Sequence, residues 1–446
     1  MEQDLTTGSV FKRIVYFSLP YLLSYFLQTL YGMADLFITG QFYGVDTITA
    51  VSNGSQIMHM MTVIIVGLAM GTTVTIGHSV GAKCMEQAEN IIGNTITLFM
   101  GIAVAFTVIL VVLVKPIVVL IATPQEAVAG TSIYLLICFI GIPFITAYNI
   151  ISSIFRGLGD SKSPMYFIGI ACVMNIALDY LFMGAFHMGA AGAALGTVCA
   201  QTFSVLVALW VIRRRKTGIS LKKSDFKIER AVIGQVLKIG IPVALQDGFI
   251  QVAFMIITVI ANSRGVSDAA AVGVVEKVIS ALFIVPSSML ATVSALSAQN
   301  LGAGKEKRAT DTLRYATVIT TIYGVIVAVL IQFIAENVVG IFTSDTTVVT
   351  MGSAYIRSYI WDCIFAGIHF SFSGYFAACG KSYIGFLHNI ISITFVRVPG
   401  SYLASKYFTD TLYPMGLAAP AGSLVSVAIC VTAFILLKRK SRVAQT

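Results

Sequence analysis

Asn175 and Asp179 stand four residues apart inside YFIGIACVMNIALDYLFM, a run at 166–183 with almost nothing hydrophilic in it. A run of that length reads as a helix crossing a bilayer, and a spacing of four puts both side chains on one face. A carboxylate at mid-membrane costs about 2.5–3.5 kcal/mol on insertion scales, so Asp179 must face a partner, a cavity or water. Asp35 lies in another apolar run, and Thr197 closes the stretch GAFHMGAAGAALGT at 184–197. Gly189, Gly192 and Gly196 of that stretch favour close helix contact, which brings Thr197 towards the Asp179 helix. The chemistry expected of Asp35, Asn175, Asp179 and Thr197 is capture of a small cation. Two carboxylates in one buried pocket repel, and both stay charged only if a cation lies between them. A sodium ion would take oxygens from all four residues as ligands, whereas a proton needs only the acids; the sequence leaves both open. Hydrogen bonding across helices is the blander role for the same residues.

The elements that position them are all of one kind. The chain has 446 residues, 57% hydrophobic and 11% charged, with a mean hydropathy of +0.88. That composition implies an all-α polytopic membrane protein. Twelve spans are expected near 14–38, 48–75, 91–114, 131–153, 163–184, 190–212, 235–260, 270–295, 312–335, 352–376, 383–404 and 414–437. No basic region followed by a short apolar run and a cleavage site precedes the first, so it is expected to remain as a helix. The net charge of +9 follows topology. Lys and Arg crowd one set of loops, and the opposite set holds only Lys115, Arg264 and Lys406. Under the positive-inside rule both termini are cytoplasmic and the chain sits in the cytoplasmic (inner) membrane as a multi-pass protein. The basic segment RRRKTGISLKKSDFKIER at 213–230 reads as a cytoplasmic linker, not a nucleic-acid patch. Seven cysteines without a C-x-x-C pair and five scattered histidines indicate neither a disulfide framework nor a zinc site. No Walker loop, dinucleotide fingerprint or hydrolytic triad is present, so no enzyme activity and no resident cofactor is expected.

The linker divides the chain into an N-lobe at 1–212 with spans one to six and a C-lobe at 231–446 with spans seven to twelve. The halves repeat at a shift of 221–222 residues. Pro20 matches Pro242; Gly81, Ala82 and Ala88 match Gly302, Ala303 and Ala309; Tyr134 matches Tyr355; Gly159 and Ser161 match Gly380 and Ser382. With six spans per half the two bundles are pseudo-symmetric about an axis along the membrane normal, the parallel-repeat plan of many transporters that work by alternating access between two lobes. Pro20 and Pro242 lie inside the first helix of each half, where a proline removes a backbone hydrogen bond, and both are candidate hinges. The repeat fails at the acids: Asp35 aligns with Ile257, and Asn175 and Asp179 align with Val396 and Gly400.

These features resemble the multidrug and toxic compound extrusion (MATE) family of cation-coupled exporters. The resemblance spans nearly the whole chain: twelve spans in two bundles of six, the Leu-Pro start of span one and the Ile-Pro of span seven, RGLGD at 156–160 and MGAAGAALGT at 188–197. It implies a coupling site for H+ or Na+ at Asp35, Asn175, Asp179 and Thr197, with Gln28, Tyr31 and Asn149 as supporting polar positions. Ile250 and Gln251 stand where the NorM-like branch carries a glutamate, and Asp362 is near but out of register with that branch's aspartate. The pattern therefore looks closer to the DinF-like and Gram-positive-type branches. The substrate the resemblance implies is a small organic compound, cationic and amphipathic, and the expected protein is a monomer contacting membrane lipid.

In the second half Asp247, Glu276, Asp362 and Arg397 are candidate ionisable residues. Glu276 could pair with Arg397 or hold a cationic substrate, while Asp247 and Asp362 are expected near the membrane ends. Methionines such as Met33, Met70 and Met289, with Phe37, Tyr148 and Phe283, would suit a surface accepting many shapes. Two rival readings fit the sequence less well. A flippase or exporter of a lipid-linked or saccharide substrate calls for a strongly basic cavity, yet intramembrane cations are few, chiefly Lys277, Arg357 and Arg397. An uncoupled receptor or channel fits poorly with the two-lobe repeat.

Overall fold

The computed structural model describes residues 4–214 and 220–443; residues 215–219 of the basic linker lie outside it. Every regular element among the described residues is helical. In hydrocarbon a strand edge or an open loop leaves backbone groups unpaired, whereas a helix satisfies them within itself. The first half is built from α1 (Val10–Phe42), α2 (Val45–Gly81), α3 (Met85–Leu120), α4 (Val128–Ile140), α5 (Ile142–Gly157), α6 (Lys162–Asp179) and α7 (Gly189–Arg214). The second comprises α8 (Arg230–Asn262), α9 (Val266–Leu282), α10 (Ile284–Gly302), α11 (Glu306–Gly340), α12 (Thr346–Tyr359), α13 (Asp362–Ala378), α14 (Ser382–Ser392), α15 (Val398–Tyr407), α16 (Tyr413–Gly416) and α17 (Ala418–Val443). A π-helical turn extends α6 through Tyr180–Ala185, and another, Ile393–Arg397, joins α14 to α15.

These helices form the expected twelve passes. Eight are long and apolar enough to span a membrane by length and composition, and a ninth is the pair bent by 50° between Gln125–Ile140 and Ile142–Gly157. The other three are α1, α12 with α13, and α14 with α15. The first is diluted by Ser18, Ser24, Gln28 and Asp35; the others are broken into short pieces by the turn before Asp362 and the π turn ending at Arg397.

The repeat is visible in the backbone. α1 and α8 are both 33 residues long, each with its proline inside. A Cβ added at Gly81 would strike the carbonyl of Gln299, and one added at Gly302 would strike the carbonyl of His78, so the ends of α2 and α10 pack backbone to backbone through matching glycines. Gly159 and Gly380 both adopt positive φ, at +94° and +68°. Within RGLGD this left-handed turn ends α5 and delivers Asp160 to the start of α6. There its carboxylate accepts from the backbone N–H groups of Lys162 at 2.9 Å and Ser163 at 3.0 Å, capping the helix.

The chain packs as two compact units. Among the described residues, the first comprises those up to Thr7, Val15–Ala244 and Ala298–Gly304; the second comprises Gly8–Ile14, Leu245–Ser297 and those from Lys305 on. In the first, Ile38, Val51, Leu135, Phe139 and Met183 form a core joining α1, α2, α4 and the end of α6. The described part of the linker lies along α3: Glu229 N–H donates to Asn94 Oδ1 at 2.7 Å, and Thr97 Oγ1 donates to the Phe226 carbonyl at 3.1 Å. In the second unit Ile257, Val275, Tyr355 and Tyr359 anchor the core. Arg264 there is structural, bonded to Asp268 at 2.6 Å and to the carbonyls of Ser405, Phe408 and Thr409 at 2.9 Å each.

Candidate cation site in the first unit

Asp35 projects from α1, Asn175 and Asp179 from α6, and Thr197 from α7. Their exposures are 2%, 1%, 0% and 9%. The Thr197 hydroxyl donates to Asp35 Oδ2 at 3.2 Å. Asn175 and Asp179 lie close to the Asp35 carboxylate without a hydrogen bond to it. The four residues anticipated from sequence therefore converge in one place.

Local structure explains the convergence. Asp179 is the last residue of α6 before the π turn, a feature that re-aims side chains. Two of the three glycines expected to admit close packing do so. A Cβ at Gly192 would crowd Met183 and the Phe182 backbone, and one at Gly196 would land on Asp179 Oδ1. Gly189 does something else. It turns the chain into α7 with φ +58° and meets nothing nearer than the Tyr43 ring. The correction follows from its place at the start of the helix, before α7 reaches α6.

The site is held in place by residues that sequence reasoning missed. Thr39 Oγ1 donates to the Asp35 carbonyl at 2.6 Å, one turn on. Tyr43 bridges two elements, donating to the Met183 carbonyl at 3.1 Å and accepting from Gly189 N–H at 2.9 Å. Its partners are backbone atoms far along the chain, so no spacing rule points to it.

What remains inside is unsatisfied. Asp35 Oδ1, both polar atoms of the Asn175 side chain and both Asp179 carboxylate oxygens are buried without a hydrogen-bond partner among the described residues. Each such atom costs about 1–3 kcal/mol, more if charged, so the cluster presents a strong demand for a cation or a proton. Its donor set, carboxylates with an amide and a hydroxyl oxygen, suits a hard monovalent cation.

The supporting positions separate. Tyr31, one turn before Asp35, reaches the Gln201 side chain. Gln28 and Asn149 line a small pocket with Ser24, Tyr148 and Arg156, and Asn149 Nδ2 donates to the Ile145 carbonyl at 2.8 Å. Met33 and Phe37 are exposed on α1, whereas Met70, Tyr148 and Met289 are core residues.

In the second unit, Asp362 is 0% exposed, with neither oxygen hydrogen-bonded. The expected place near a membrane end is corrected: the break between α12 and α13 buries it inside a pass. Arg397 lies 5.0 Å from the Phe254 ring centroid and donates to the Tyr359 hydroxyl. Glu276 accepts from Thr258 at 3.3 Å, and no salt bridge to Arg397 forms from either Glu276 or Asp362 among the described residues. The Tyr359 ring and hydroxyl take up the guanidinium instead. Asp247 is half-buried midway along α8, so the expected place near a membrane end is corrected for it too, and no charged partner lies beside it among the described residues. Pro20 and Pro242 lie inside α1 and α8, and Ser24 Oγ donates to the Pro20 carbonyl at 2.8 Å.

Comparison with known proteins places the arrangement in context. The MatE family profile matches residues 20–181 and again 242–403, each match starting at one of the two paired prolines. The probable multidrug resistance protein YpnP of Bacillus subtilis is 30% identical, over 93% of each chain. The multidrug export protein MepA of Staphylococcus aureus is 24% identical, over 83% of this chain and 82% of MepA. The solved structure of a multidrug resistance transporter in an outward-facing conformation shares the fold, with a TM-score of 0.91, 21% identity and coverage of 99% and 98%.

Proposed function

This chain belongs to the MatE family, and on that premise we propose that it exports organic, cationic and amphipathic compounds in exchange for protons moving inward through the Asp35–Asp179 pair. The observation that carries the reading is the pair itself. Two carboxyl groups lie close together in one buried pocket, yet neither Asp179 oxygen has a protein donor among the described residues. A proton shared between them supplies that donor and removes the repulsion. Protonation thereby changes how α1 is held against α6 and α7, and this lowers affinity for the exported compound. By reciprocity the bound compound weakens proton binding by the same factor.

Sodium is the second reading, favoured by the unpaired Asn175 Oδ1, a neutral oxygen beside the acids. Location in the cytoplasmic membrane with both termini inside is supported by the excess of Lys and Arg on one set of loops. A lipid-embedded monomer suffices, since all four residues come from one chain.

The test uses proteoliposomes loaded with ethidium, with proton and sodium gradients imposed separately. A proton gradient is expected to drive efflux by the wild type, and Asp35→Asn and Asp179→Asn to abolish it. Unchanged coupling in Asp179→Asn overturns the reading; drive by sodium alone selects the second one.

A further inference from the structure

On α1, Ser24, Gln28, Tyr31 and Asp35 recur at spacings of four, three and four, one face of a helix. The neighbouring helices answer in kind, with Asn149, Ser152 and Arg156 on α5 and Thr197, Gln201 and Ser204 on α7. The faces meet, because Leu27 and Tyr31 pack against Tyr148, Phe167 and Val205. At one end of the file Thr197 bonds Asp35; next, Tyr31 reaches Gln201; then Ser24 and Gln28 share a pocket with Tyr148, Asn149 and Arg156.

Ser24, Asn149 and Ser204 spend a donor each on a backbone carbonyl, but other polar atoms along this file are not used up by the fold. Gln201 Oε1, Ser152 Oγ and Arg156 Nε are buried without a hydrogen-bond partner among the described residues, as are Asp35 Oδ1 and both Asp179 oxygens above them. A packing face would not leave such atoms in a row at about 1–3 kcal/mol each. A file that holds water satisfies them. Arg156, its guanidinium 3.9 Å from the Tyr21 ring centroid, is the single formal charge among the residues lining the pocket. A fixed cation there disfavours an excess proton resting at the mouth and so limits leak. The other titratable side chains facing the file are Tyr25, Tyr31, Tyr148 and Cys138.

We propose that this file conducts the coupling proton between the Asp35–Asp179 pair and the water at the Arg156 end, with Tyr31 and Gln201 orienting the first relay beside Asp35. The inference rests on the proton reading above. An O–H bond of the protonated pair breaks, the proton passes from water to water as hydronium, and it is released to bulk solvent at the Arg156 end. The carboxylate is left charged for the next cycle, and nothing is oxidised or reduced.

The experiment measures ethidium-triggered proton flux with pyranine in proteoliposomes, in H2O and D2O. Gln201→Leu and Ser152→Ala are expected to slow the flux, Gln201→Leu by roughly tenfold, and to raise the H2O/D2O rate ratio, because relay becomes limiting. Gln201→Glu should restore the rate, and Arg156→Gln should increase proton leak without ethidium. A structural role alone would not move the isotope ratio. If Gln201→Leu fails to fold, Gln28→Leu reads the same file. Wild-type flux and isotope ratio in these variants, with flux lost in Asp179→Asn, overturns the file and keeps the coupling pair. Full flux in Asp179→Asn overturns both.

Discussion

Replacing Gly196 with alanine should disturb coupling while the fold stays intact. The added carbon would land on Asp179 Oδ1, with Asp179 Cγ at 3.3 Å and its backbone N at 3.6 Å. The nearest atom belongs to a side chain, so the carboxylate, not a helix, must give way, by about 1 Å. Overpacking of this kind costs about 1–3 kcal/mol. Removing a glycine from a helix interior returns up to about 1 kcal/mol. A residual of about 1–2 kcal/mol falls on the arrangement of the two acids and should alter affinity for the coupling cation by about 5- to 30-fold. The assay is ethidium efflux as a function of the imposed proton gradient, alongside the thermal midpoint in detergent. Gly32→Ala is the matched control: it lies on α1 with no atom within 4 Å of the added carbon. Two results refute the reasoning. One is wild-type coupling in Gly196→Ala; the other is equal loss in Gly32→Ala, which would mean that any added methyl disturbs transport.

Thr197→Ala removes the hydroxyl that donates to Asp35 at 3.2 Å, and should weaken apparent cation affinity by roughly tenfold, with Thr197→Ser restoring it; gradient-dependence of efflux checks this. Tyr43→Phe leaves the Met183 carbonyl and the Gly189 N–H without their shared partner, at about 1–3 kcal/mol, and should lower the thermal midpoint in a melt while the pair still binds its cation. Cys84, exposed in the turn between α2 and α3, lies on the side assigned to the cytoplasm. A membrane-impermeant maleimide should label it in inside-out vesicles but not in intact cells, and the reverse pattern inverts the topology.

Whatever followed from period and length was readable in the chain. Twelve passes, the repeat and the meeting of Asp35, Asn175, Asp179 and Thr197 all rest on spacing along helices, which a sequence carries directly. Three kinds of feature were not readable. Breaks inside passes depend on tertiary packing: the turn before Asp362 converts an acid that looks terminal into one that is fully buried. Side chains that bond distant backbone atoms, such as Tyr43, leave no periodic trace. Division of labour among similar glycines also escapes a motif, since Gly189 serves a turn and Gly196 a contact, and only the partner helix distinguishes them.

The two halves began as copies, and their charges show how they diverged. In the first unit Asp35 and Asp179 face each other with Thr197 and Asn175 but no basic side chain. In the second unit the position equivalent to Asp35 is Ile257, sunk in an apolar core, and the acids Glu276 and Asp362 sit within the electrostatic reach of Arg397. A buried acid must be neutralised, and the source of the neutralising charge decides what the site can do. For Glu276 and Asp362 a cation of the chain itself, Arg397, lies nearby without forming an ion pair to either among the described residues, so part of their balance cannot be exchanged. The Asp35–Asp179 pair has no such cation beside it among the described residues and must take one from solution. Only a charge that comes and goes can transmit a gradient, and this is the physical ground for proposing the Asp35–Asp179 pair as the coupling site.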